Sequence, residues 1–220
     1  MRNIKRFIVA LIIFTGFNAF SFGESFYGFT TGLYRVSEVY LNEDFSREQT
    51  GISGNFFYYY FPRGSFLGIF AQTAIGSLSS GYEWNNDDMV SLDTSSVWDL
   101  RFSLAPSFKL QPGSRLRIPF SVGPVVSIYR EEGWNSWLSD KKTFYEALSL
   151  GVQGDVSIIL NPSRWFFLRH GVTVSWDFLR TERGEMSSEF RNRRSAQFSG
   201  VAYSAVLASI YFGMGIRFAQ

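Results

Sequence analysis

Residues 165–178 read Trp-Phe-Phe-Leu-Arg-His-Gly-Val-Thr-Val-Ser-Trp-Asp-Phe. One alternate set is Phe166, Leu168, His170, Val172, Val174, Trp176 and Phe178. The other is Trp165, Phe167, Arg169, Gly171, Thr173, Ser175 and Asp177. Alternation with a period of two marks a strand whose faces meet different surroundings. The same pattern recurs in 98–110, where Trp98, Leu100, Phe102, Leu104, Phe108 and Leu110 alternate with Asp99, Arg101, Ser103, Ala105, Ser107 and Lys109. In 116–128, Leu116, Ile118, Phe120, Val122, Val126 and Ile128 alternate with Arg117, Ser121, Gly123 and Ser127. In 210–218, Ile210, Phe212, Met214, Ile216 and Phe218 alternate with Tyr211, Gly213, Gly215 and Arg217. In each run one face is bulky and apolar, while the other is small, polar or charged.

Pro62-Arg63-Gly64, Gln111-Pro112-Gly113-Ser114 and Asn161-Pro162-Ser163-Arg164 punctuate these runs as tight turns. Between them lie longer polar segments, Ser37–Gln49, Ser79–Thr94, Glu131–Lys142 and Thr181–Ser195. Tight turns alternating with long loops give eight strands of an up-and-down barrel. A water-soluble barrel would carry charge on its outer face. Here the polar face is rich in Gly, Ser and Ala, which suits a narrow filled interior, and the bulky face is left for lipid. Apolar stripes of about seven positions are near the length a tilted strand needs to cross a bilayer. Trp98, Trp176, Phe166 and Phe218 end the stripes and suit aromatic girdles. The expected fold is an all-β, eight-stranded antiparallel up-and-down transmembrane β-barrel over residues 24–220.

The N-terminus reads as a secretory signal peptide over residues 1–23. Arg2, Lys5 and Arg6 form a basic segment, an apolar run follows from Phe7 to Phe17, and Ser21-Phe22-Gly23 offers small residues at a cleavage site. Removing those three basic residues from a chain of formal net charge +2 leaves −1. That balance gives no electrostatic footprint for nucleic acid. Among 220 residues there is no cysteine and one histidine. This excludes a disulfide framework, a cysteine nucleophile and a multi-histidine metal site. No cofactor is implied. Aromatic residues make up 19% and charged residues 18%, the reverse of a disordered composition.

With these runs, the leader and the ending Tyr211-Phe212-Gly213-Met214-Gly215-Ile216-Arg217-Phe218, the chain resembles small eight-stranded bacterial outer-membrane β-barrels. Gly213, Ile216 and Phe218 are similar to that family's C-terminal assembly signal, although Ala219 and Gln220 follow where the family usually stops at the aromatic. The Phe- and Tyr-rich, cysteine-free style is similar to spirochaete barrels of this size. The resemblance implies outer-membrane localisation, handling by a barrel-assembly machinery and contact with lipopolysaccharide or another glycolipid. It spans adhesins, small-solute channels and lipid A enzymes, so three function classes follow: surface binding or membrane structure, a narrow channel, and lipid modification.

The inner-phase charges form an expected interior network: Asp99, Arg101, Asp155, Arg169, Asp177 and Arg217. Closing the Asn161–Arg164 turn tightly sets Asp155 directly opposite Arg169, and Asp99, Arg101 and Asp177 form a second cluster. Lys109 and Arg117 define a hydrated, basic periplasmic vestibule beneath a plugged middle. His170 faces lipid. Lipid A deacylase barrels carry a serine two residues after such a histidine, but Val172 stands there and Ser175 is on the other face, so a non-enzymatic, monomeric barrel is expected. Its contacts with an extracellular ligand are expected on the loops, at Trp84, Trp134, Trp137, Arg183, Arg191, Arg193 and Arg194. Asp87 and Asp88 lack the spacing of a calcium loop.

Overall fold

The computed structural model describes residues 23–40, 45–85, 88–92, 96–134, 142–184, 200–201 and 203–219. The leader, residues 1–22, lies outside them, and Gly23 opens the first strand. The described residues form β1 (Gly23–Tyr40), β2 (Phe45–Pro62), β3 (Leu67–Asn85), β4 (Asp88–Leu92), β5 (Ser96–Leu110), β6 (Leu116–Trp134), β7 (Lys142–Leu160), β8 (Phe166–Gly184), β9 (Gly200–Val201) and β10 (Tyr203–Ala219). Each long strand pairs antiparallel with the next, and β10 pairs with both β8 and β1. The sheet is thus a closed barrel of eight strands. β4 folds back on the end of β3 as a hairpin, and β9 is a two-residue pairing on β8.

The proline-containing turns gather at one end. In the first, the Ser65 amide donates to the Pro62 carbonyl at 2.9 Å, and Gly64 has φ of +72°. That third turn position requires a left-handed backbone, which glycine adopts without strain. The Asn161 amide donates to the Arg115 carbonyl at 2.8 Å, joining the second turn to the third. Short turns mark the periplasmic end of such barrels and longer connections the outer end.

The four alternating runs place their faces as the sequence indicates. Phe167, Arg169, Gly171, Thr173, Ser175 and Asp177 are buried inside, whereas Val172, Val174 and Trp176 face out. Around the barrel the outward set includes Leu33 at 71% exposure, Ile52 at 64%, Val122 at 62% and Ile210 at 57%. A continuous apolar belt of that size is unstable in water and fits a bilayer. At its periplasmic edge Trp165, Phe218, Tyr27 and Tyr58 touch in sequence, with ring centroids 4.6–6.4 Å apart. Trp98 and Trp176 mark the other edge, Trp98 under the Arg130 guanidinium at 6.0 Å.

Three expectations change. The inner face is not uniformly small: in Phe56-Phe57-Tyr58-Tyr59-Tyr60-Phe61 aromatics occupy both faces, and Phe57, Tyr59 and Phe61 are buried with Phe26, Phe70 and Phe167. Glycines on neighbouring strands make the room. Gly28 pairs with Phe57 and Gly215 with Phe167, and a Cβ at either glycine would come within 2.7 Å of that ring.

The strands also run well into the polar segments read as loops, through Tyr40, Asn85, Trp134 and Gly184. A 19-residue strand stands about 45 Å tall at a tilt of about 45°, against a belt of about 25 Å. The barrel wall therefore rises beyond the membrane. Outward ion pairs on the risen wall, Arg35–Glu48 at 2.7 Å and Arg130–Glu132 at 2.7 Å, agree.

Third, Asp155 is opposite Thr173, and Arg169 is opposite Ile159. The β7–β8 connection is longer than a tight turn, its first pair being Leu160 with Leu168, so the register slides by four residues. The slide is even, and every side chain keeps its face.

Candidate functional site

The interior is a stack of charged layers separated by aromatic ones. At the periplasmic mouth, Glu24 near the start of β1 takes Lys109 Nζ at 2.7 Å, Arg217 Nη2 at 2.6 Å and Arg117 Nη2 at 3.3 Å. Arg117 is held from behind, its Nη1 donating to the carbonyls of Gly113, Ser114 and Leu116 at 3.1 Å. Arg217 of the expected interior network lies here, at the periplasmic end. The sequence does not single out Glu24, because it adjoins the leader and precedes the clear alternation. The membrane-spanning part of β1 begins at Tyr27, so Glu24 lies beyond the belt. Burial opposes its ionisation, but the hydrogen bond and charge of Lys109, with the charges of Arg117 and Arg217, outweigh this and hold the carboxyl below its ordinary value. The expected basic vestibule is present, as a cavity of about 360 Å³ lined also by Arg63 and Gln111.

Above the mouth lies the aromatic layer of Phe26, Phe57, Tyr59, Phe61, Phe70 and Phe167. Arg169 sits on it, fully buried. Its Nη2 donates to Asp155 Oδ1 at 2.7 Å and to the hydroxyls of Tyr59 and Tyr211 at 2.9 and 2.7 Å. Its guanidinium lies 4.0 Å from the Phe57 ring centroid and 4.5 Å from that of Tyr211. Asp155 in turn accepts from Tyr59 and Tyr211, both at 2.6 Å, and from Thr173 at 2.9 Å. The Asp155–Arg169 pair read from sequence exists, made by Arg169 reaching along its strand rather than by direct opposition.

A neutral layer follows, in which Gln153 donates to Gln72 at 2.9 Å and to Ser103 at 3.0 Å. Next comes the second expected cluster. Arg101 holds Asp177 with both terminal nitrogens, at 2.7 and 3.1 Å, and Asp99 at 3.3 Å; Tyr34 donates to Asp99 and Ser175 accepts from Arg101. Above it is a layer of Tyr34, Val36, Leu78, Val97, Tyr129, Tyr145 and Leu207.

A third charged layer closes the top. Arg47 grips Glu131 with both terminal nitrogens at 2.7 and 3.1 Å, and Arg180 holds Glu38 at 2.8 Å. The sequence shows these four as loop residues, or as strand residues without an inward role. All four face inward because the strands continue into the risen wall, and Arg180 does so only past a bulge. Between Leu150 and Gly151 the register jumps from Leu179 to Asp177, so Phe178 is an extra residue on β8. Past it the phase inverts, and Arg180 and Glu182 are inside.

Three charged layers leave little space. The void around Asn55, Gln72, Arg101 and Gln153 is about 30 Å³, and the one between Asp99 and Arg180 about 10 Å³. A water needs roughly 10–15 Å³ on this measure, so each of these two voids has room for isolated waters.

Sequence comparison finds neither a matching protein-family model nor a matching curated protein. Among solved structures, a major outer membrane protein from Thermus thermophilus is similar with a TM-score of 0.55 at 12% identity, over 86% of this chain and 99% of that one. The outer membrane protein OprG from Pseudomonas aeruginosa is similar with a TM-score of 0.54 at 10% identity, over 91% and 98%. This is the outer-membrane β-barrel fold.

Within this outer-membrane barrel, His170 faces out between Ile158 and Phe212, and Val172 follows on the same face. Ser175 faces inward. Of the expected assembly signal, Ile216 and Phe218 face out and Gly213 lies opposite Arg169. Of the expected loop contacts, Trp84 lies on β3 with its ring 6.0 Å from that of Tyr82, and Arg183 is exposed near the end of β8. The Trp134 side chain, Trp137, Arg191, Arg193 and Arg194 lie outside the described residues, as do Asp87 and the Asp88 side chain. Among the described residues no His, Asp and Glu cluster could hold a metal ion.

Proposed function

We propose that this chain is a non-enzymatic, non-conducting outer-membrane protein that binds an extracellular ligand or glycolipid at its outer end. The observation that carries the reading is the filled interior. Three layers of paired charges cross the interior beneath a wall that rises past the belt, and the voids beside Arg101 and Gln153 and beside Asp99 and Arg180 measure about 30 and 10 Å³. Such a plug serves rigidity rather than passage, and a rigid wall is a platform for contacts. At the outer end the β3–β4 hairpin presents Tyr82 at 49% and Met89 at 60% exposure beside Trp84. The barrel acts as a monomer, and Gly213, Ile216 and Phe218 on β10 are the segment offered to the assembly machinery.

Planar-bilayer recording of the refolded barrel tests the plug. Silence is expected at neutral pH. Reproducible steps from an inserted barrel would replace this reading with a narrow channel. Flotation with lipopolysaccharide vesicles then tests the outer end, where replacing Tyr82 and Trp84 by Ser and Ala is expected to reduce binding while heat-modifiable migration persists.

A further inference from the structure

The periplasmic mouth carries an excess of positive charge that the plug does not use. Lys109, Arg117 and Arg217 converge on one carboxylate, that of Glu24. Three cations against one anion leave two positive charges, and Arg63 on the rim adds a third. The deeper layers differ, each Arg there having at least one carboxylate of its own. The excess borders a cavity of about 360 Å³, open to the periplasm and lined also by Pro62 and Phe66. The Nε of Arg217 is buried and has no hydrogen-bond partner among the described residues. The charge excess borders this one chamber.

We propose that the periplasmic mouth is a binding site for a phosphate ester, held by Lys109, Arg117 and Arg217 with Arg63 at the entrance. The two uncompensated charges match a phosphate monoester, which carries about −1.5 to −2 at neutral pH. Arginine forks address its oxygens in pairs, and Lys109 acts as a point charge. Glu24 holds the cations together when the site is empty and competes with the ligand when it is full. The cavity is large enough for a phosphate with a glycerol-sized substituent. The ester is either a soluble periplasmic solute or the headgroup of an inner-leaflet phosphatidic acid, and the shared group is the phosphate monoester. This site lies at the opposite end from the proposed extracellular contacts and stands independently of them.

The test is equilibrium dialysis of radiolabelled glycerol 3-phosphate against the refolded barrel in phosphatidylcholine nanodiscs at low salt. Saturable one-to-one binding is expected. Arg117→Gln with Arg217→Gln is expected to weaken it by about tenfold or more, as lost charge-assisted contacts do. Arg63→Gln, on an exposed turn that the fold does not need, is expected to weaken it about two- to fivefold. Glu24→Gln is expected to strengthen binding, the opposite of what damage to the mouth would do. Repeating the titration in nanodiscs containing phosphatidic acid separates the sources: competition assigns the site to the lipid headgroup, and unchanged binding assigns it to a soluble ester. Absence of saturable binding by the wild type, or equal binding by the Arg63 and Glu24 variants and the wild type, overturns the proposal.

Discussion

Arg169 shows how one residue is accommodated in a narrow barrel. Its charge is met by Asp155, its donors by two tyrosine hydroxyls, and its flat faces by aromatic rings. The space comes from glycines, since Gly213 lies opposite Arg169 and a Cβ at Gly171 would stand 2.5 Å from the Tyr211 hydroxyl. Replacing Arg169 by Met leaves Asp155 buried without its cation. The expected loss is about 3–5 kcal/mol, read from urea unfolding in lipid vesicles. Adding Asp155→Asn to Arg169→Met is expected to recover part of it, because the stranded charge goes too. A loss under about 1 kcal/mol for the single substitution would indicate a hydrated pair, in conflict with the full burial of both side chains.

At the scale of the strand, the bulge on β8 lets one element serve two layers. Below Phe178 the inward residues are odd-numbered through Asp177; above it they are Arg180 and Glu182. Deleting Phe178 leaves Asp177 inside, Leu179 outside and Arg180 inside, a regular alternation. The deletion variant is therefore expected to fold and to keep its difference in electrophoretic mobility between boiled and unboiled samples. Deleting Val174 from the regular part instead would turn Asp177 to lipid and Trp176 inward, separating Asp177 from Arg101. That variant is expected to lose the heat-modifiable form. Equal behaviour of the two would mean that the bulge does not set the phase of the upper wall.

For the whole molecule, the layering stacks paired charges through the membrane above an open cavity at the periplasmic end. Glu24 joins β1 to β5, β6 and β10 there. Its carboxyl is held below its ordinary value by Lys109, Arg117 and Arg217, despite burial. A depressed folded value means that the contribution is fully present above the unfolded value of about 4.3 and is lost as pH falls through the folded one. Unfolding midpoints are expected to drop as pH is lowered from about 5 toward 3, and this part of the drop is expected to vanish in Glu24→Gln. A drop of equal size in the variant would place the acid sensitivity elsewhere.

The barrel was legible in the sequence because lipid and interior impose a period of two that few residues break, and because turns of Pro and Gly recur at one end. Asp99, Arg101 and Asp177 were legible as a cluster for the same reason: phase and height suffice to bring them together. Phase could not supply the long β7–β8 connection that slides Asp155 away from Arg169, because a four-residue slip preserves every face. Nor could it supply the third layer. Arg47, Glu131 and Arg180 look like loop residues in a polar stretch; the risen strands carry Arg47 and Glu131 inward in phase, and the bulge at Phe178 turns Arg180 inward. Glu24 is a lone acid in sequence; closure of β10 on β1 brings Arg217 to it, and the β5–β6 turn region brings Lys109 and Arg117. Local periodicity determined which face each strand shows to lipid. Closure of the sheet decided which charges meet, because those partners lie tens of residues apart and are neighbours only across the lumen.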